Sequence, residues 1–69
     1  MNNILKYVYK NDFIKLLVQE DIVGYYLIVY QDPKSKKSSE DYLVDTLEEA
    51  FLEAKEKFGV SKERWIKTM

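Results

Sequence analysis

Apolar and polar positions change period once along this chain, and the change separates a sheet-forming half from a helical one. Residues 4–10 (ILKYVYK) are rich in β-branched and aromatic types and read as a first strand. Asn11-Asp12 suits a tight two-residue turn, since both residue types tolerate positive φ. Residues 13–20 then read as a second strand. A turn of that length sets a register. On one face it pairs Lys10 with Phe13, Val8 with Lys15, Lys6 with Leu17 and Ile4 with Gln19. On the other it pairs Tyr9 with Ile14, Tyr7 with Leu16 and Leu5 with Val18. The second set is wholly apolar and is expected to face the core. The first carries three lysines and is expected to face outward.

The stretch GYYLIVY, residues 24–30, breaks the alternation of a strand with one wet face. Taking Glu20–Gly24 as the connection and 25–31 as the third strand, simple pairing sends Tyr25, Leu27 and Val29 inward. It sends Tyr26, Ile28 and Tyr30 outward. A bulge at Gly24 would exchange the two sets. Residues 32–40 (DPKSKKSSE) form a long polar loop opened by an Asp-Pro turn. A short fourth strand, Asp41–Val44, is expected after it.

From Thr46 the period becomes helical. Thr46 as N-cap and Glu49 three residues on make a capping box. Glu48 and Glu49 suit the positive end of the helix dipole. Leu47, Ala50, Phe51, Ala54 and Phe58 fall on one stripe, and Glu53 lies four residues before Lys57. Gly59 ends the helix, and Val60 folds back on its last turn. Ser61–Arg64 reads as a single capped turn. Trp65-Ile66 is a final apolar element, a short tail or edge strand, with Trp65 plugging the open end of the core. The expected fold is α+β: an antiparallel sheet of three or four strands in a meander, packed on one helix, with a short C-terminal apolar tail.

Composition narrows this picture. The 69 residues make a single domain, 1–69, and a chain this short buries only about 60% of its unfolded surface. Neither Cys nor His is present. Disulfides, zinc sites and the usual nucleophile–base pairs are therefore not expected, and no cofactor is implied. Two glycines are too few for a phosphate-cradling loop. With 46% hydrophobic residues the chain can build a core. The N-terminus lacks the apolar run of a signal peptide, and no stretch approaches the length of a membrane span. A cytoplasmic, non-membrane location is the expectation.

Charge bears on partners. Net charge is −1, from 11 basic and 12 acidic residues, which argues against a dedicated nucleic-acid binder. Lys34, Lys36 and Lys37 are the candidate nucleic-acid contacts, with Tyr26 and Tyr30 as stacking platforms on the sheet. Glu40, Asp41 and Asp45 flank the fourth strand, and their spacing does not force oxygens to converge on a metal. The outer sheet face offers an apolar patch rimmed by lysine, comprising Val8, Phe13, Leu17, Tyr26, Ile28 and Tyr30, with Ile4 at its margin. Such patches mark association surfaces. The expected function is a small non-catalytic protein-interaction module that binds a second copy of itself or another protein. Binding of single-stranded nucleic acid is the alternative.

The run Asp45-Thr46-Leu47-Glu48-Glu49-Ala50, with Phe58-Gly59-Val60 and Trp65 beyond, resembles small bacterial proteins that join a strand meander to a TLEEA helix and a terminal Trp. That resemblance implies a fold and no activity. Gly24-Tyr25-Tyr26, Asp32-Pro33 and the 45–56 segment are also similar in layout to the N-terminal domain of HicB-type antitoxins, which implies binding to a small toxin. The chain departs from that layout in its lysine loop and its Trp tail.

Overall fold

The computed structural model describes residues 6–68. Five strands, β1 (Lys6–Lys10), β2 (Lys15–Asp21), β3 (Gly24–Tyr30), β4 (Glu40–Val44) and β5 (Ile66–Thr68), form one antiparallel sheet in the order β4-β3-β2-β1-β5. Helix α1 (Leu47–Phe58) and a 3₁₀ turn, Lys62–Arg64, connect β4 to β5 at the opposite edge. The fold is α+β, as the pattern predicts. The apolar tail is the fifth strand, so the sheet is wider than the expected three or four.

The first hairpin departs from its expected length. Its loop has four residues, Asn11–Ile14, and the ladder ends at Lys10 opposite Lys15. The cause is the Asn11 side chain. Its Oδ1 accepts the N–H groups of Phe13 (2.7 Å) and Ile14 (2.9 Å), and the Asn11 backbone N–H donates to the Ile14 carbonyl at 3.0 Å. An Asx-type closure of this kind holds four residues where a two-residue turn was expected. Pairing shifts by two, to Tyr7 opposite Val18 and Val8 opposite Leu17. Because side chains alternate with a period of two, this even shift leaves every strand residue on its expected face. Phe13 and Ile14 leave the strand for the loop, where Ile14 still packs against the core and Phe13 stands exposed. Ile4 and Leu5 lie outside the described residues.

The second hairpin is tighter than expected. Ile22 and Val23 alone form the turn, and pairing runs unbroken from Asp21 opposite Gly24 to Lys15 opposite Tyr30. The alternative with a bulge does not occur. No described non-glycine residue has positive φ, so the turn is not of a primed type. Gly24 absorbs the mismatch at φ 147°. It also lies against β4, where a Cβ would collide with the Val44 carbonyl oxygen. Two independent constraints thus require glycine here.

The core lies between one sheet face and α1. Leu16, Val18, Leu27 and Val29 are fully buried, and Ala50 and Ala54 let the helix approach them closely. Thr46 Oγ1 accepts the Glu49 N–H at 3.1 Å, closing the first turn. Gly59, at φ 72°, ends the helix by donating to the Lys55 carbonyl at 2.9 Å. Val60 and Trp65 are buried beneath it. The Trp65 ring lies 5.5 Å from Phe51 and 6.3 Å from Tyr9, and Tyr7 meets Phe51 edge-on at 5.2 Å. Trp65 therefore plugs the core, as its position after the helix predicts.

A candidate protein-interaction face

The outer face is built by register. Its middle row runs Asp41, Ile28, Leu17, Val8, Ile66 from β4 to β5. The row nearer the Ile22-Val23 turn is Leu43, Tyr26, Gln19, Lys6, Thr68. The row nearer the Asn11 loop holds Tyr30, Lys15 and Lys10. Among the described residues no second helix or sheet lies over this face, because α1 packs on the other one. Val8, Leu17, Tyr26, Ile28 and Tyr30 are half-buried by their own neighbours. Lys15 contributes to that shielding, with Nζ 4.2 Å from the centre of the Tyr30 ring.

Five of the six residues expected in the patch are brought together here. Phe13 is not; it stands 80% exposed at the tip of the first hairpin. Two residues were missed. Ile66, at 69% exposure, joins the middle row through β5, and Leu43, at 51%, extends the face over β4. Leu43 could have been found by alternation once Val44 was placed inward. Ile66 carries no local signal, because its neighbour β1 lies at the other end of the chain.

Lys34, Lys36 and Lys37 are exposed on the loop that leaves β3 directly after Tyr30. That loop is well tied. Asp32 Oδ1 accepts the Lys34 N–H at 3.0 Å, and the Asp32 carbonyl accepts the Ser35 N–H at 3.0 Å. Ser39 closes its far end, donating its N–H to the Val29 carbonyl at 2.8 Å.

The acidic residues do not converge. Glu40 and Asp41 are adjacent on β4 and so point to opposite faces. Among the described residues no three metal-ligating side chains group together. Glu40 instead accepts the Tyr42 hydroxyl at 3.1 Å. Desolvation first, and then this carboxylate, raise the Tyr42 pKa above its ordinary value. Lys57 lies 5.1 Å from the Tyr42 ring and 3.7 Å from Glu53, so this edge is a structural rim. A groove of about 360 Å³ lies between α1 and the 3₁₀ turn, with Phe51 and Leu52 among its lining. Its walls are already bridged by Lys62 and Glu48 at 3.7 Å. Among the described residues no helix is long and apolar enough to cross a membrane.

No family model, curated protein or solved structure matches this chain in comparison.

Proposed function

We propose that this protein is a small non-catalytic interaction module that self-associates through the outer face of its sheet. The observation carrying this reading is the unbroken apolar row Ile28, Leu17, Val8 and Ile66, flanked by Tyr26, Leu43 and Tyr30 and, among the described residues, left without a packing layer. Aromatic and aliphatic residues ringed by lysine are the composition of an association surface. The chain has no Cys or His, so the usual Ser–His and Cys–His nucleophile–base pairs have no base to use. Sedimentation across a concentration range tests the reading, which expects a dimer. The Tyr26→Ser, Tyr30→Ser double variant is expected to be a soluble monomer with its fold intact. A wild-type chain that stays monomeric at every concentration rejects self-association.

A second reading draws on the position of the lysine loop. Lys34, Lys36 and Lys37 lie four to seven residues after Tyr30 on the loop that leaves β3, which offers cations for the phosphates of a single strand of nucleic acid stacked on Tyr26 and Tyr30. It expects salt-sensitive binding of single-stranded oligonucleotides in a fluorescence titration. No binding at low salt removes it.

A further inference from the structure

We propose that this protein docks end-on to anionic lipid surfaces, with Phe13 entering the headgroup layer and the lysines around it meeting the headgroup charges. The proposal uses one end of the sheet rather than its outer face, so it stands apart from self-association. It departs from the expectation of a location away from membranes, because a chain without a spanning helix can still rest on a bilayer surface.

Two loops leave the same end of the sheet. Lys10, Lys15 and Tyr30 form the last row there. Asn11–Ile14 joins β1 to β2, and residues 31–39 leave β3 after Tyr30 and return in β4. Lys34, Lys36 and Lys37 on that second loop are exposed, as is Lys10. Arg64, 5.9 Å from the centre of the Tyr9 ring, adds a cation on the inner side of this end. The acids here are Asp12, Asp32 and Glu40, and two of them are engaged within the chain. Asp32 Oδ1 accepts the Lys34 N–H, and Glu40 accepts the Tyr42 hydroxyl.

The opposite end is acidic. Glu20 and Asp21 lead into the Ile22-Val23 turn, and Asp45, Glu48 and Glu49 follow β4 into the first turn of α1, against Lys6 and Lys62. The seven residues of β3 set the two ends about 20 Å apart. That is more than twice the screening length of about 8 Å at physiological salt. A flat anionic surface touching the lysine end therefore meets its cations and not the net charge of −1. A nucleic-acid strand laid across Tyr30 and Tyr26 runs toward the acids instead.

Phe13 supplies the apolar contact. It is 80% exposed on a loop tied to the core. Asn11 Oδ1 accepts the Phe13 and Ile14 N–H groups, Asn11 Nδ2 donates to the Tyr9 hydroxyl at 3.1 Å, and Ile14 packs against the core. Folding Phe13 back would break these bonds, so the ring is presented in place. An apolar ring among lysines is the composition that seats at the boundary of headgroups and acyl chains.

The test is co-sedimentation of the full chain with vesicles of phosphatidylcholine, alone or mixed equally with phosphatidylglycerol. Binding is expected to the mixed vesicles only, and should fall steeply with salt. Each lysine at such a surface is worth about fivefold, so the variant carrying Lys34→Gln, Lys36→Gln and Lys37→Gln should bind about a hundredfold more weakly. Phe13→Ser should cost about tenfold, and Asp12→Asn should tighten binding by about fivefold. Ile22→Ser changes the fully exposed apolar tip at the acidic end and should change nothing. Circular dichroism checks each fold. No binding to mixed vesicles, indifference to Phe13→Ser, or tighter binding to a single-stranded oligonucleotide at matched phosphate concentration overturns the proposal. Sedimentation without vesicles reads self-association separately. A monomer that binds vesicles ends only the dimer, and a dimer that ignores them ends only this proposal.

Discussion

Leu27 and Ile28 are neighbours in β3, yet they meet different surroundings. Leu27 is fully buried under α1, and Ile28 is half-buried on a face that no other layer of the described residues covers. The same contrast repeats along the strand, with Val29 inside and Tyr26 and Tyr30 outside. One face has its packing partner written into the same chain. The other has the apolar composition of a packed face without that partner. The lesson is that apolar character on both sides of a strand does not require two layers from one polypeptide.

The largest expected difference between the faces comes from truncating these two residues. Leu27→Ala should cost about 2–5 kcal/mol through lost burial and a cavity, enough to unfold much of so small a domain. Ile28→Ala should cost under about 1 kcal/mol in dilute solution, and its penalty should grow with protein concentration if the outer face is shared. Chemical denaturation at two protein concentrations reads both. Equal costs for the two residues would remove the distinction between the faces.

Gly24→Ala probes how the β4 margin is attached to both faces. Its Cβ would meet the Val44 carbonyl, and the backbone at φ 147° disfavours any side chain. A loss of about 2–3 kcal/mol is expected, measured by thermal unfolding. A substitution that costs nothing would mean β4 can move away freely. Thr46→Ala touches only the helix that covers the inner face, and should cost about 1 kcal/mol with no change in association. The smallest effect involves pH. Glu63 has its pKa lowered, first by its own backbone N–H and then by the Ser61 hydroxyl. A lowered folded pKa contributes stability above the unfolded value, and that contribution disappears as pH falls through the folded value. Glu63→Gln should therefore flatten slightly the loss of stability between about pH 5 and pH 3, and leave the outer face untouched.

The inner face and the helix were legible because their signals are local or parity-based. Thr46, Glu49 and Gly59 act within one turn of their own positions, so their roles could be read before any tertiary structure. The division of Tyr7 and Tyr9 from Lys6, Val8 and Lys10 survived a wrong first-hairpin length because the error was an even number of residues, and that of Tyr25, Leu27 and Val29 from Tyr26, Ile28 and Tyr30 held because β3 pairs with β2 without a bulge. Phe13 was misplaced because the Asn11 side chain, rather than backbone turn preference, sets the loop. Ile66 was missed because strand pairing between distant segments leaves no mark on either one. The outer patch was thus readable in its centre and not at its β5 edge.

The pairing of β5 with β1 has a consequence for how the molecule assembles. β1 through β4 form by successive neighbours, whereas Val8 and Ile66 must find each other from opposite ends of the chain. Contacts of long sequence separation are the slow ones. The meander and helix can therefore organise first, and Trp65 is drawn under the helix end as β5 docks. Its fluorescence should follow the last event in folding, with the outer apolar row completed by Ile66 only at that moment.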